Sequence, residues 1–403
     1  MNGNPRTGRG VGVHVRTFSR RIGIRERLAM GVVALAPWFA TAAAAGPTPS
    51  DGIDAPASAT IDANESEGEP AYPHQAVRRE EYGSGGRSYW LFEPAEPTPR
   101  RAPVVVFNHG WLAVNPGAYG AWINHLVRSG NVVIFPRYQR DPITRPARFL
   151  PNAVAAVKDA LDVLETAPGH VRPNRKKFAL IGHSAGGNLA VEMAAVAAES
   201  RLPRPRAVIT LMPGEVIASA AIDLARVPAE TLLVVAVAEN DVVVGDARAR
   251  EIFEKTTSVP RSRKRFLFYR SDLHGIPVLL ADHFLSTGFH HPFDTGEGLL
   301  PNVQKQRAEI NAFDRAGLWP MADLTLRAAF DGQTLDDLGD QTALVQRLGF
   351  WSDGRPVTSP IVTSDLVDVP RVFPAHGIRM IRGVVSPAIP SSEDPKVRQV
   401  AGP

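Results

Sequence analysis

Short apolar runs alternate with helix-like segments through the middle of the chain, and this alternation is the main indication of its fold. The runs are "PVVVFNHG" (103–110), "NVVIFP" (131–136), "KFALIG" (177–182), "RAVITLM" (206–212), "TLLVVAVAEND" (231–241) and "KRFLFYRSD" (264–272). They are largely apolar, as strands covered on both faces must be. Apolar residues recur at helical spacing between some of them, at Val154, Val157, Leu161 and Leu164 and again at Leu189, Met193 and Val196. The pattern predicts an α/β fold with a mostly parallel central sheet and helices on both faces.

The two ends of this region extend the prediction. "RSYWLFEP" at 87–94 has the composition of a strand and precedes the alternation, so we expect it at an antiparallel edge. Towards the C-terminus, Ile310, Phe313, Leu318, Met321 and Leu324 have helical spacing, interrupted by Gly317 and Pro320. We therefore predict a helical extension from about residue 288 that lies across one side of the core.

The N-terminus has the layout of an export signal. Arginines precede an apolar stretch that starts at Leu28 and ends in a run of alanines, and Ser19-Arg20-Arg21 is typical of a twin-arginine signal. We predict a signal over residues 1–45, cleaved near Ala45, and a protein exported to the periplasm or the exterior. The alternative is that the apolar stretch is not cleaved and anchors the chain, which would be its contact with a membrane.

Composition sets the remaining boundaries. Residues 46–71 are rich in Pro, Ser, Ala and acidic side chains and are predicted to be a disordered linker; residues 383–403 resemble them and are predicted to be a loose tail. The folded domain is expected over residues 72–382. The chain has no cysteine, which excludes disulfides and thiolate sites, and its net charge of +4 gives little support to nucleic-acid binding.

The first candidate for chemistry is Gly182-His183-Ser184-Ala185-Gly186, a G-x-S-x-G sequence between an apolar strand and the amphipathic run "NLAVEMAAVAA". A strand, a sharp turn and a helix are the context in which this motif exposes a nucleophilic serine. The helix start would also direct its free N–H groups at the same place. We therefore predict Ser184 to be a nucleophile and the Ala185 N–H to be an oxyanion donor.

The second candidate is Asn108-His109-Gly110-Trp111, which follows another apolar strand. An oxyanion needs two N–H donors, and the loop after this earlier strand supplies the second one in such sites. We assign it to Trp111 rather than to Leu112, with Gly110 allowing close approach of the backbone. His109 is expected to support the loop. Gly110, Leu112, Tyr119 and Tyr138 are predicted to line the substrate pocket.

With "NHGW", "GHSAGG" and the segments below, the chain resembles the α/β-hydrolase superfamily, in its serine esterase, lipase and cutinase-like branch. The resemblance implies a triad in the order nucleophile, acid, histidine. It places the acid at Asp241, with Glu239 and Asp246 nearby, and Glu215 in "LMPGE" is an alternative.

The resemblance also places the histidine of the triad at His274, in "D-x-x-H-G" just beyond the last strand. His283 falls within "IPVLLADHF", which we predict to be a helix, and is interpreted as structural. His290, His291 and Asp294 lack the spacing of a metal site, so neither a metal nor a cofactor is expected.

The expected activity is hydrolysis of small or polymeric carboxylic esters through an acyl-enzyme, with no nucleic-acid partner. An acyltransferase or peptidase with the same triad is one alternative, and a non-catalytic hydrolase-like binding protein is another.

Overall fold

The computed structural model describes residues 71–215, 222–298, 307–339 and 346–375, and the statements below concern these residues. The predicted signal (1–45), the predicted tail (383–403) and the predicted linker up to residue 70 lie outside them. Export therefore stays a prediction. None of the helices in the described ranges combines the length and apolar character needed to cross a membrane.

A nine-stranded sheet, in the order β1-β2-β4-β3-β5-β6-β7-β8-β9, runs through the described part of the chain. The strands are β1 (Ala76–Tyr82), β2 (Tyr89–Ala95), β3 (Arg101–Asn108), β4 (Val132–Pro136), β5 (Arg172–His183), β6 (Ala207–Leu211), β7 (Leu232–Ala238), β8 (Lys264–Tyr269) and β9 (Ile361–Thr363). Strands β3 to β8 are parallel, and β1, β2 and β9 are antiparallel additions at the edges. The predicted parallel sheet is confirmed, and so is the antiparallel strand predicted at 87–94, which spans residues 89–95.

Helices cover both faces of the sheet because successive side chains of each strand point to opposite sides. On β3, Val105 and Phe107 pack into one core with α1 (Gly120–Arg128), whereas Val104 and Val106 pack into the other. The second core is closed by α2 (Phe149–Thr166), α3 (Ala185–Ala195) and α4 (Ala247–Lys255). Burial on both faces explains why the strands are apolar throughout.

The C-terminal extension is helical as predicted, but Gly317 and Pro320 do not interrupt it. A π-helix (Phe313–Leu318) leads directly into α5 (Trp319–Asp331), which joins the core on the α1 side. A side chain at Gly317 would lie 3.1 Å from both Tyr269 and Leu348, so glycine permits this packing. The extension then returns to add β9 to the exposed edge of β8, which the sequence did not indicate.

Asp272, just after β8, fastens the last described segment to the sheet. Its Oδ2 accepts hydrogen bonds from Trp351 Nε1 (3.1 Å) and from the Thr358 N–H (2.8 Å) and hydroxyl (2.9 Å), and its Oδ1 accepts one from the His274 N–H (3.0 Å). Burial opposes ionisation of this carboxyl, but the hydrogen bonds outweigh it and lower its pKa below the ordinary 3.8. Ionised Asp272 therefore stabilises the folded state.

We expect Asp272→Asn to lower the free energy of unfolding by about 2 kcal/mol at pH 7, because several bonds to a charged acceptor are weakened. The folded pKa is depressed, so this contribution is complete above the unfolded pKa and is lost as the pH falls through the lower, folded value. Urea unfolding at pH 7 and near pH 3 should show the gap between wild type and variant narrowing in acid. Asp331→Asn, in an exposed pair with Lys177 at 3.8 Å, is the control and should change little. A gap that is equal at both pH values would contradict the role of the charge.

Candidate active site

Ser184 lies in a sharp turn between β5 and α3, with φ of 56° and ψ of −123°. Such a conformation costs a non-glycine residue about 1–3 kcal/mol and persists only where its surroundings hold it. Here the Ser184 N–H donates to Leu211 O (2.9 Å), and the Ser184 carbonyl accepts from the N–H groups of Gly187, Asn188 and Gly214. Both backbone polar groups of Ser184 are thus hydrogen-bonded, and Ser184 is 8% exposed.

The glycines on either side of Ser184 are required because backbone lies against them. A Cβ on Gly182 would lie 2.0 Å from Gly186 O, and one on Gly186 would lie 2.2 Å from Asn108 O. Neither distance is possible between real atoms. The second contact also presses the turn against the carboxyl end of β3, where the Asn108–Trp111 loop begins.

Ser184, His283 and Asp241 form a continuous hydrogen-bonded chain. The Asp241 carboxylate can only accept, so His283 Nδ1–H donates to Asp241 Oδ2 (2.8 Å). In the neutral ring, Nε2 is then an acceptor and receives the Ser184 Oγ–H at 3.0 Å. All three side chains are buried, and the arrangement is that of a nucleophile with its general base and the group that orients the base.

Asp241 is held from its other side by the backbone after β7. Its Oδ1 accepts the N–H groups of Val243 and Val244, each at 3.0 Å. With Oδ2 on His283, both carboxylate oxygens are satisfied although the residue is fully buried. The structure thus places Asp241, the acid indicated by the resemblance, beside His283 and not beside His274.

The prediction that His274 lies between Ser184 and Asp241 is wrong. His274 points to the surface, where its Nε2 bonds Asp353 Oδ2 (2.7 Å) and its Nδ1 lies 3.1 Å from Arg355 Nη1. Its side chain is 25% exposed. It belongs to the group around Asp272 that fastens the C-terminal segment.

The prediction failed because residues 276–284 do not form a helix. The Leu279 N–H and carbonyl pair with Asp272, the Ala281 carbonyl accepts the Asn240 N–H (2.8 Å), and the Ala281 N–H donates to Ser271 Oγ. These partners draw the segment into an extended path along the ends of β7 and β8, and the path brings His283 beside Asp241.

A signal for this path exists in the sequence. Val278, Leu279 and Leu280 are consecutive apolar residues, whereas an amphipathic helix spaces such residues by three or four. In the structure, residues 278–284 alternate between more and less exposed, with His283 among the buried ones. Interpreting residues 278–284 with a period of two, as in a strand, would have favoured an extended segment whose His283 side chain points inwards.

Two backbone N–H groups near Ser184 are available to an oxyanion. Among the described residues, neither the Trp111 N–H nor the Ala185 N–H has a hydrogen-bond partner. The Ala185 N–H is at the start of α3, where helix dipole and geometry favour negative charge. The Leu112 N–H, by contrast, donates to Gln139 Oε1 (2.8 Å).

His109 fixes the orientation of the Trp111 N–H. Its Nδ1–H donates to Gly110 O (2.6 Å), and the same carbonyl accepts the Ala113 N–H (3.0 Å). The Gly110 carbonyl and the Trp111 N–H belong to one planar trans peptide and point in opposite directions, so the bonds to the carbonyl also fix the direction of the N–H. Burial lowers the pKa of His109 to about 3, which keeps the ring neutral. His109 thus supports the loop, as expected.

A protein family described as having the alpha/beta hydrolase fold matches residues 105–249, which include Ser184, Asp241 and the Asn108–Trp111 loop. The chain has the α/β-hydrolase fold. The resemblance seen in the sequence is thus confirmed for the fold. His283 lies beyond the matched segment. A comparison with curated proteins found no match.

Two tyrosines of this α/β-hydrolase fold were expected to line a pocket, and that prediction is wrong for both. Tyr138 is fully buried; its ring stacks on His109 with centroids 4.2 Å apart, and its hydroxyl donates to His109 O (2.6 Å). Tyr119 is 1% exposed, and its hydroxyl contacts Gly110 and His183. Both side chains contact the loop from within the protein, Tyr119 from one core and Tyr138 from the other.

Of the other two residues predicted to line a pocket, Gly110 lies beside Ser184, and the prediction for Leu112 stays a prediction. A Cβ on Gly110 would lie 3.4 Å from Ser184 Cβ, so the backbone at Gly110 lies close to the serine. Leu112 is buried with a left-handed φ of 64°, held by its bond to Gln139.

The other carboxylates that the sequence offered are engaged elsewhere. Glu215 is 56% exposed and lies 3.3 Å from Arg248, Glu239 accepts the Ser271 N–H (2.8 Å), and Asp246 is buried against Arg250. In the described ranges no three His, Cys, Asp or Glu side chains are grouped to hold a metal ion. Asp294 of the "STGFHHPFD" segment instead accepts a hydrogen bond from Asn115 Nδ2 (2.7 Å).

Gly186→Ala and Gly182→Ala should each destabilise the fold by about 3 kcal/mol or more, because the added Cβ meets backbone that cannot move away. Gly187→Ala is the matched control within the same turn. Its nearest atom is Gly182 O at 3.0 Å, so we expect a smaller loss. Urea unfolding measures all three, and a wild-type midpoint for Gly186→Ala would refute the close approach.

Proposed function

We propose that this chain is a serine hydrolase that cleaves carboxylic esters through an acyl-enzyme. The observation that carries the proposal is the hydrogen-bonded chain from Ser184 Oγ through His283 to Asp241, with distances of 3.0 and 2.8 Å. The match to the alpha/beta hydrolase family supports hydrolysis as the reaction class. The catalytic histidine of the proposal is His283.

In the proposed first step, Ser184 Oγ attacks the carbonyl carbon of the ester while His283 Nε2 takes the hydroxyl proton. The imidazolium that forms has its positive charge beside the Asp241 carboxylate, which stabilises it without accepting the proton. The carbonyl oxygen becomes an oxyanion, to which the N–H groups of Ala185 and Trp111 donate. Each such donor is worth about 3–4 kcal/mol in the transition state.

Collapse of the tetrahedral intermediate breaks the bond to the leaving alkoxide, which receives the proton from His283 Nε2 and departs as an alcohol. Water then attacks the acyl carbon as His283 takes one of its protons. The second intermediate expels Ser184 Oγ, which recovers the proton, and a carboxylic acid is released. The same two N–H donors stabilise the oxyanion in acylation and in deacylation, so one arrangement of the site suffices for both steps.

Ser184→Ala should abolish covalent labelling by a fluorophosphonate and lower hydrolysis of a p-nitrophenyl ester by a factor on the order of 10⁴ to 10⁶. The reason is that the variant has no oxygen to form the acyl-enzyme. Labelling is followed by intact mass, and hydrolysis by release of p-nitrophenolate. A wild-type protein that neither takes up the probe nor cleaves the ester would disprove the proposed function.

His283→Ala should reduce the rate per folded molecule by a similar factor, since the general base is removed. His274→Ala is the matched control, because His274 contacts Asp353 at the surface. Its rate should stay within about threefold of wild type, as expected for an exposed pair. Measured side by side, loss of activity in His274→Ala alone would overturn the choice of His283.

A further inference from the structure

A second chain of hydrogen bonds runs behind the triad and joins the two loops that flank Ser184. The Gly110 N–H bonds the Tyr119 hydroxyl at 2.9 Å, that hydroxyl bonds His183 Nδ1 at 2.8 Å, and His183 Nε2 bonds the main-chain carbonyl of His283 at 2.7 Å. We call these four residues the buried relay. His183 is the variable residue immediately before the serine in G-x-S-x-G.

The direction of every bond in the buried relay is determined. The His283 carbonyl can only accept, so His183 Nε2 must carry a hydrogen. The neutral ring then accepts at Nδ1, which requires the Tyr119 hydroxyl to donate. The oxygen of that hydroxyl keeps a lone pair for the Gly110 N–H. No member has an alternative orientation that keeps all three bonds.

Burial keeps both side chains in these protonation states. His183 is 3% exposed, and burial, followed by the nearby His283, lowers the pKa of His183 well below its ordinary value. Burial likewise raises the pKa of Tyr119. The ring is therefore neutral and the phenol protonated across the working pH range, so the relay is not a proton path but a fixed connection.

The ends of the buried relay are the two places where main-chain position matters most. Gly110 immediately precedes Trp111, whose N–H faces the oxyanion in the proposed mechanism. The His283 carbonyl belongs to the residue whose ring meets Ser184 Oγ. A Cβ on Gly110 would lie 3.1 Å from both His183 Nδ1 and the Tyr119 hydroxyl, so these parts are in direct contact.

We propose that Tyr119 and His183 are positioning residues, which hold the oxyanion loop and the histidine-bearing loop in one geometry relative to Ser184. The proposal rests on the proposed function. Neither side chain touches the reacting atoms; each acts through backbone. A buried histidine with a purely structural role could form hydrogen bonds with any two neighbouring groups. His183 instead joins Tyr119 and His283, which lie 64 and 100 residues away from it in the chain.

Two substitutions at position 183 test separately the hydrogen bond of His183 to Tyr119 and its hydrogen bond to the His283 carbonyl. His183→Asn places an acceptor at the depth of Nδ1 and removes the donor to the His283 carbonyl, whereas His183→Gln keeps a donor at the depth of Nε2 and removes the acceptor for Tyr119. Tyr119→Phe breaks the connection to Gly110 and His183 together. The rates of p-nitrophenyl ester hydrolysis are expressed per active site, titrated with a fluorophosphonate, so that a loss of folded protein does not count.

We expect Tyr119→Phe and His183→Asn to lower kcat about 10- to 100-fold with KM changed less than threefold, because a small misplacement acts on the transition state more than on binding. Tyr119→Phe and His183→Gln each break the hydrogen bond between Tyr119 and His183. The kcat of the double variant should therefore match that of the slower single variant. Tyr269→Phe is the matched control: it removes another buried hydroxyl, one without a hydrogen-bond partner in the described ranges, and should keep the wild-type kcat.

The outcomes are distinct. Wild-type kcat in Tyr119→Phe and His183→Asn, or multiplicative effects in the double variant, would overturn the positioning role while leaving the hydrolase proposal intact. An inactive, unlabelled wild type would remove the hydrolase proposal itself. Nitrogen-15 NMR of histidine-labelled protein should show His183 with its proton on Nε2, and a proton on Nδ1 would also overturn the buried relay.

Discussion

The contact of Gly186 with the backbone at the end of β3 is the constraint on which the site depends. Because no Cβ intervenes, the turn at Ser184 lies directly against the carbonyls of Asn108 and His109. This brings the start of α3 and the loop after β3 together beside Ser184. The strain at Ser184 is tolerated because hydrogen bonds hold its N–H and carbonyl.

The loop that runs from Asp272 to His283 is positioned in a different way. It is extended and has no strand of its own, so its path is set by bonds to the loops after β7 and β8, at Asn240 and Ser271. Asp272, at the start of the same loop, is fastened to Trp351 and Thr358 of the C-terminal segment. The extension therefore supports the site from a distance, by anchoring the base of the loop that ends in His283.

Burial controls the charge of the polar groups around Ser184. His109 and His183 are kept neutral by desolvation, and Tyr119 and Tyr138 keep their protons for the same reason. The Asp241 carboxylate accepts two backbone N–H groups and one imidazole N–H. The surroundings are thus fixed dipoles, which suits stabilisation of a charge that develops only during a reaction.

The sequence by itself determined the parallel sheet and the strand–turn–helix at Ser184, because each follows from a local pattern, whereas Asp241 was indicated by the family resemblance, with other carboxylates left open. The tertiary structure alone decided between His274 and His283, since the path of an extended loop depends on partners far away in the chain. It also decided that Tyr119 supports the loop instead of lining a pocket. Local spacing records which residues share a strand or turn, whereas long-range hydrogen bonds select which side chains meet.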